Sequence, residues 1–589
     1  MMPPSAQATP LSRRRVPVPL PGPWFWGFVA LYAAIGLIGH DPWKNDDAAG
    51  FGIAWSMANG GLRDWLLPNV AGQFIPEEGP LAFWVAALFI KLFGGFLTPF
   101  DAARLAAAAW SLGAVYCVHL AARELWGEKA RHAALCLLAC VGLLVRTHEI
   151  SAEPALLFSS AYTLWAMVRW RLAPLALQTG LALAVGLGLA WLARGPHAAL
   201  PLALAVVAAP VVLREWRNAR GVLAVLIALL AAALIWLWWP KLAGAAAPEF
   251  RAAYYAWAQR QFGLPGLSEW RYFAKTLAWF AFPAWPVALW WLLRRPPAFL
   301  GEKPSKQLHP VPLLFAAAAL VALAWSREAS ESVLLPLLPP LALIAAPAVS
   351  QLRRGAAAML DWFGRMTFTM GAGLIWLGYV AIQTGWPPKI ANNFAKLEPG
   401  FRASFEPLPL LVALAATLLW VVAIARSERT PLRGIAHWCY GTTLCWVLVM
   451  TLLLPWIDYG KTYRPVAFGV RLAMLTDAGA ISGPGGCLAS RELGAAQRAS
   501  LQYFADLRFG AEKRCRWLIV QGVQKDTPPA PIGWTLIWQG NRPGDRDERF
   551  RLYKREVPAD PNAHLAELPP TPSVDKPAPA LPTPGSAPS

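Results

Sequence analysis

Two adjacent carboxylates, Asp46 and Asp47, stand just beyond the first apolar run, residues 24–39. They belong to the stretch His40-Asp41-Pro42-Trp43-Lys44-Asn45-Asp46-Asp47-Ala48, and a second acidic turn follows it, Pro76-Glu77-Glu78-Gly79-Pro80. Further on, Glu153 precedes Pro154 at the start of another apolar run. Neighbouring carboxylates repel each other, which moves one pKa toward the working range of a general base. The same acids also suit the first turn of a helix, where they face the positive end of its dipole, and the pattern alone leaves both uses open. Arginines recur in comparable positions: Arg194 before Gly195-Pro196, Arg327 in Ser326-Arg327-Glu328, and Arg251, Arg260 and Arg271 between residues 241 and 271. A guanidinium fork binds phosphate, and it also reaches to lipid head groups from the end of a membrane helix.

The elements that must hold these residues are membrane helices. Of 589 residues, 56% are hydrophobic and only 15% charged, where a soluble domain carries about 25% charge. Apolar runs of roughly 17–22 residues, the length of a membrane-crossing helix, recur along the chain. We expect an α-helical polytopic membrane protein with about thirteen spans. They fall near residues 24–39, 100–122, 132–146, 155–168, 173–193, 196–213, 221–239, 273–293, 310–325, 332–350, 367–383, 407–424 and 437–456. The 32 Trp suit an interfacial aromatic belt. The net charge of +19 is read as basic cytoplasmic loops, not as a nucleic-acid surface. Basic clusters at 123–131, 169–171, 214–220, 294–306, 353–354 and 426–433 mark the cytoplasmic side.

If 81–96 were a further span, the cluster after residue 122 would fall outside. That segment, with 46–59, is therefore expected to form interfacial helices within one outer loop, 41–96. The same count puts 146–153, 194–197, 241–271, 326–331 and 387–406 on the outer face, so polar residues from several loops share one side of the membrane.

The expected organisation is a cytoplasmic N-terminus over 1–23, a membrane part over 24–456, a small α/β domain over 457–557 on the outer side, and a disordered Pro-rich tail over 558–589. Within the small domain, 498–509 has helical spacing, and 515–520, 534–538 and 550–553 read as strands. Cys487 and Cys515 are its only cysteines, and such a pair in an oxidising compartment invites a disulfide. No spacing suggests a zinc site, a P-loop or a dinucleotide fingerprint.

Together these pieces resemble the C-type (GT-C) membrane glycosyltransferases, which take sugars from polyprenyl-phosphate carriers. Within that class the chain is most similar to the bacterial aminoarabinose transferases of lipid A and to the related protein O-mannosyltransferases. The likeness runs from about Trp24 to Ser350 and is strongest over 40–104. By position, Asp46 matches the Asp of the family's Asp-Glu pair, with Asp47 in place of the Glu. Glu78 and Pro80 match its Glu-Lys-Pro turn, with Gly79 in place of the Lys expected to hold the carrier phosphate. Arg194-Gly195-Pro196 matches Lys-Gly-Pro, Glu153-Pro154 resembles an Asp-Pro, and 332–336 resembles Tyr-x-Leu-Pro with Val333 in place of the Tyr.

The resemblance implies inverting transfer of a sugar from a polyprenyl-phosphate carrier to a lipid A-like lipid, a glycan or a protein. The reaction would lie on the periplasmic face of a bacterial inner membrane. Asp46, Asp47, Glu78 and Glu153 are the implied catalytic carboxylates, and Arg194, Arg327 and Arg271 the implied carrier-phosphate ligands. A divalent metal as cofactor stays open, and nucleic acid is not an expected partner. The competing readings are a transporter or lipid flippase, which would show inverted repeats and acids near mid-span, an oligosaccharide ligase of similar topology, and an assembly protein, which leaves the acidic loop without a purpose.

Overall fold

The computed structural model describes residues 15–43, 45–170, 174–294, 309–478, 486–523, 525–526, 529–545 and 547–555. Most of the expected N-terminal segment 1–23, most of the basic cluster 294–306 and the whole expected tail 558–589 lie outside the described residues. The chain divides into two compact units. One runs to Thr462 and includes Ala495–Ala499; the other begins at Tyr463 and holds the remainder.

The first unit is helical. Among the described residues of the chain, seven helical runs are long and apolar enough to cross a membrane by length and composition, or eight if one bent pair counts as a span. That is fewer than the thirteen expected: the runs expected to span at 24–39, 155–168 and 310–325 are helices of only 13, 17 and 14 residues, Gly22–Ala34, Glu153–Arg169 and Pro310–Leu323, and the rest of the difference comes from particular breaks. The expected span 132–146 is a nine-residue helix, Ala130–Leu138, then a turn, then the short helix Leu143–Arg146. Nine residues rise only about 14 Å, half of a roughly 30 Å hydrocarbon core. The expected span 273–293 is also broken, into Leu267–Phe280 and Ala284–Arg294, bent by 96°.

These two breaks face each other. The Val141 amide donates to the Phe282 carbonyl at 3.2 Å, and the Gly142 amide to the Phe280 carbonyl at 3.0 Å. Irregular backbone among membrane helices is tolerated only where protein satisfies its polar groups, and here each break does so for the other. Residue 142 must be glycine for this approach, because a Cβ there would lie 1.9 Å from the Phe280 ring.

A third break matters more for function. The expected spans 173–193 and 196–213 form one helical run, Ala176–Val212, interrupted at Arg194 (φ −152°, ψ 30°) and Gly195 (φ 75°, ψ −163°). The positive φ at Gly195 suits only glycine without strain, and Pro196 restarts the helix with its φ already set.

Between the helix Gly22–Ala34 and the helix Pro99–Trp126, the loop contains the two expected short helices, Asp46–Asn59 and Leu81–Phe93, joined through Leu62–Leu66 and a two-residue hairpin pairing Asn69–Val70 with Gln73–Phe74. Asp46–Asn59 is not an open surface helix: most of its residues, from Asp47 to Ala58, are buried. Gly50 lets it press onto the chain at Ile150, where a Cβ would meet the Ile150 carbonyl at 1.7 Å. This packing brings the Asp46 end of the helix to the 146–153 loop.

The second unit carries a four-stranded sheet in the order Leu488–Arg491, Trp517–Val523, Glu548–Arg555, Trp534–Gly540. The first pair is parallel and the other two antiparallel. The three strands expected near 515–553 are all present, and the Leu488–Arg491 strand joins them. Ala489, Cys515, Leu518, Trp534 and Tyr553 make its apolar centre, and Cys487 and Cys515 are joined by a disulfide across 28 residues of chain. Closing a loop of this length stabilises a domain by about 3 kcal/mol. In the full-length Cys487→Ser/Cys515→Ser variant, amide hydrogen exchange in the strand Trp517–Val523 is expected to quicken by roughly a hundredfold, with exchange in the helices of the first unit unchanged.

Candidate active site

The adjacent acids part company at the start of their helix. Asp47 turns inward and is 2% exposed. Its Oδ2 accepts from Arg104 Nη2 at 2.7 Å and from the Trp43 amide at 3.1 Å, while Oδ1 accepts from the Ile150 amide at 3.0 Å. Burial works to raise its pKa, but the charge and hydrogen bond of Arg104 outweigh it and hold the carboxyl below its ordinary value. Arg104 itself is fully buried. It also donates to Asp101 Oδ1 (3.2 Å) and to the carbonyls of His40 (2.9 Å) and Asp41 (2.8 Å).

Asp46 turns the other way. Its side chain is 53% exposed, and its Oδ2 accepts from Arg146 Nη1 at 2.6 Å. Arg146 continues to Glu331 through Nε at 2.7 Å and to Glu149 at 3.3 Å. A second guanidinium, Arg194, is presented by the helix break described above. Its Nη1 donates to Glu153 Oε1 at 2.8 Å and to Ser332 Oγ at 2.9 Å, and its Nη2 to Glu328 Oε1 at 2.9 Å. Ser332 in turn donates to Glu153 at 2.6 Å. Residues from the expected outer loops at 46, 146–153, 194 and 328–332 therefore meet in hydrogen-bonded contact.

Glu78 belongs to the same electrostatic group. Burial pushes its pKa up to about 8, Arg194 opposes this, and Glu153 and Asp46 reinforce it. Its Oε2 is buried and has no hydrogen-bond partner among the described residues. The turn that carries it is docked on the residues before Arg194: the Gly79 amide donates to the Ala193 carbonyl at 3.2 Å. A Cβ at 79 would meet the carbonyl oxygens of Leu192 at 2.1 Å and Ala193 at 2.7 Å. With the turn seated this way residue 79 has no room for a side chain, and the cation at this point is Arg194, one residue beyond that carbonyl. Glu149, likewise, is pushed up to about 8 by burial against the pull of Arg146.

The group holds six carboxyls (Asp46, Glu78, Glu149, Glu153, Glu328 and Glu331) around two guanidiniums, Arg146 and Arg194. Two of the six, Glu78 and Glu149, are mostly protonated at neutral pH. Such a set can bind a phosphate through its arginines, offer a neutral carboxyl as hydrogen-bond donor, and keep a carboxylate ready for a proton.

Two residues expected to act here stand apart. Arg327 is exposed and packs over Gly263, and Arg271 is exposed on the helix Leu267–Phe280; neither makes a side-chain hydrogen bond or ion pair with the carboxyl group among the described residues. Arg104 and Arg146 were not singled out as site residues by the sequence reading. The signal for Arg104 was an arginine within an apolar run, which is costly unless paired; for Arg146 it was a cation in a loop expected on the outer side, where cations are scarce. Among the described residues no group of three or more His, Cys, Asp or Glu side chains could hold a metal ion.

Residues 77–239, which include Glu78, Arg104, Arg146, Glu153 and Arg194, match the family described as Dolichyl-phosphate-mannose-protein mannosyltransferase. The chain is a membrane glycosyltransferase similar to those of the C type. It is 29% identical over 445 residues to the Undecaprenyl phosphate-alpha-4-amino-4-deoxy-L-arabinose arabinosyl transferase of Pseudomonas aeruginosa (strain LESB58), covering 72% of this chain and 73% of that one. The enzyme of the same name from Pseudomonas paraeruginosa (strain DSM 24068 / PA7) is likewise 29% identical, with the same coverage. The crystal structure of ArnT from Cupriavidus metallidurans bound to undecaprenyl phosphate has the same fold, with a TM-score of 0.63 over 90% of this glycosyltransferase and 97% of ArnT at 18% identity.

The burial of Arg104 makes a prediction about Asp47. Removing one partner of a buried ion pair leaves the other charge uncompensated, at a cost of about 3–5 kcal/mol. Asp47→Ala is expected to lower the yield of monodisperse protein in detergent, and Asp47→Ala combined with Arg104→Met to recover most of it, as read by fluorescence-detected size exclusion.

Proposed function

We propose that this enzyme transfers a sugar from an undecaprenyl-type phosphate carrier to an acceptor on the periplasmic face of a bacterial inner membrane, with inversion at the anomeric carbon. The observation that carries the reading is the pairing of Arg146 with Asp46 and of Arg194 with Glu153, beside the buried carboxyl of Glu78, on loops expected from the sequence to lie outside. The carrier phosphate would take up the guanidinium forks now occupied by carboxylates. Its charge as leaving group would be stabilised by them in a partly desolvated setting, where such donors act most strongly.

In the proposed step the acceptor oxygen forms its bond to the anomeric carbon as the bond from that carbon to the phosphate oxygen breaks. The bonding pair leaves with the polyprenyl phosphate, and the acceptor's proton passes to Asp46. A phosphate acceptor would be nucleophilic already, and Asp46 would then orient it through Arg146. Asp47 serves by fixing the helix start and so the place of Asp46.

The donor we infer is an amino sugar. The relatives' name specifies one, and the excess of carboxyls over arginines suits a substrate that brings an ammonium as well as a phosphate. Lipid A is the acceptor class implied by the resemblance to the aminoarabinose transferases.

Mass spectrometry of envelope lipids from cells with the wild-type protein, Asp46→Ala or no protein tests the reading. A mass difference of one sugar, present with wild type and lost equally in the other two at matched expression, is the expected result. A modification that persists in Asp46→Ala removes Asp46 from the chemistry.

The pH dependence follows from Glu78. Its carboxyl, pushed up to about 8, is mostly protonated at neutral pH and would donate a hydrogen bond to the bound carrier phosphate; above that value it ionises and sets a negative charge beside the leaving phosphate. The rate kcat/KM is expected to fall by about tenfold per pH unit once pH exceeds about 8. Glu78→Gln keeps a donor that does not ionise, so its profile is expected to stay flat there, as measured by initial rates from about pH 6 to about pH 10.

A further inference from the structure

A carboxylate far along the chain reaches the same site from behind. Asp458 sits in the helix Leu454–Lys461, immediately after a π-helical turn at Val449–Leu453. Its Oδ1 accepts two hydrogen bonds from the loop that leads into Asp46: from the Asp41 amide at 3.0 Å and from Trp43 Nε1 at 2.8 Å. One helical turn on, Thr462 Oγ1 donates to Asp41 Oδ2 at 2.7 Å. The loop and the helix are thus joined in both directions across more than four hundred residues of sequence.

The two groups gripped by Asp458 each connect onward. The Trp43 amide donates to Asp47 Oδ2 at 3.1 Å. The Asp41 carbonyl accepts from Arg104, whose other bonds hold both oxygens of Asp47. Asp47 adjoins Asp46 at the first turn of its helix. Every link in this series is a hydrogen bond to or from a charged group, the stronger and more directional kind. The π turn adds a second observation. It shifts by one residue the face on which later side chains fall, so that Asp458 points at the loop, and such turns concentrate at functional sites.

We propose that Asp458 is a positioning residue for sugar transfer: through Asp41 and Trp43 it fixes the loop that sets Asp46 against Arg146. This rests on the transferase reading above, and it extends the working site to the helix Leu454–Lys461, more than a hundred residues past Ser332. Asp458 touches no substrate. Its loss acts on the geometry of Asp46, so it lowers kcat and leaves KM for the lipid-linked donor little changed.

The test uses full-length protein in detergent, with Asp458→Ala, Asp458→Asn and Trp43→Phe beside wild type and Asp46→Ala. Two readouts are taken: sugar transfer from undecaprenyl phosphate-linked 4-amino-4-deoxyarabinose to lipid A, and amide hydrogen exchange in peptides spanning 40–48. Asp458→Ala is expected to lower kcat by roughly ten- to a hundredfold, the weight of hydrogen bonds to a charged group, and to speed exchange at Asp41 by a comparable factor. KM should stay within about threefold. Asp458→Asn retains the accepting oxygen and is expected to restore most of both readouts. Trp43→Phe removes one of the two bonds and should lie between, and it decides the matter if Asp458→Ala does not fold.

Unchanged kcat and exchange in Asp458→Ala overturn the proposal, as does a loss in KM alone or an Asn variant no better than Ala. If wild type transfers no sugar, the transferase reading fails. Exchange at Asp41 then still reports whether Asp458 holds the loop, so the two failures are distinguishable.

Discussion

The buried pair of Arg104 and Asp47 is the contact on which the site depends. A guanidinium with no exposure in a helix of this hydropathy is tolerable only because carboxylates and backbone carbonyls meet its donors. Those carbonyls belong to Leu37, His40 and Asp41, so the chain that follows the helix Gly22–Ala34 is gathered onto one side chain. Asp47 then draws in the Ile150 amide. The desolvation of one arginine is offset by ordering three stretches of chain, and the exposed neighbour of Asp47 inherits a fixed position. The two acids differ in setting: one is buried against Arg104 and the other is half-exposed against Arg146.

A second constraint is the balance of charge. Arg146 and Arg194 are each shared among several acids, so neither is a free cation waiting for a ligand. An arriving phosphate must compete with carboxylates already in place, and every carboxylate it displaces needs a new partner or a proton. Burial of Glu78 and Glu149 eases this, since both are already mostly neutral near pH 7. Specific recognition follows from this competition: a neutral lipid gains nothing by entering, and an anion without a compensating donor meets net repulsion.

Much of this was legible in the sequence, for physical reasons that differ from residue to residue. Membrane character followed from composition, and the expectation that Asp46, Glu78, Glu153 and Arg194 share one side of the membrane, as their meeting requires, followed from counting basic loops. The strands of the small unit were visible in the alternation and β-branching around 515–553. The division of roles between Asp46 and Asp47 was not, because it depends on Arg104, more than fifty residues away and reached only through packing. The helix count failed where backbone groups find partners on another broken helix, as at Val141 and Gly142: an apolar run records solubility in lipid, not continuity. Arg327 and Arg271 shared the composition of their loops with Arg194 but not its helix break, and sequence alone does not distinguish a presented cation from an exposed one. Gly79 looked like a lost lysine; the carbonyls of Leu192 and Ala193 explain it as a close contact.

The paired breaks at 141–142 and 280–282 also bear on how the chain is made. The amides of Val141 and Gly142 find their acceptors on a segment synthesised well over a hundred residues later. Until the ribosome has passed the second bent helix, the first cannot take its final shape in lipid without two bare amide groups, each a burden of several kcal/mol. The early segment must wait as a longer, regular helix or lie near the insertion machinery. In that interval the two amides lack their final acceptors, so the turn that leads to Arg146 settles only after the second bent helix is made.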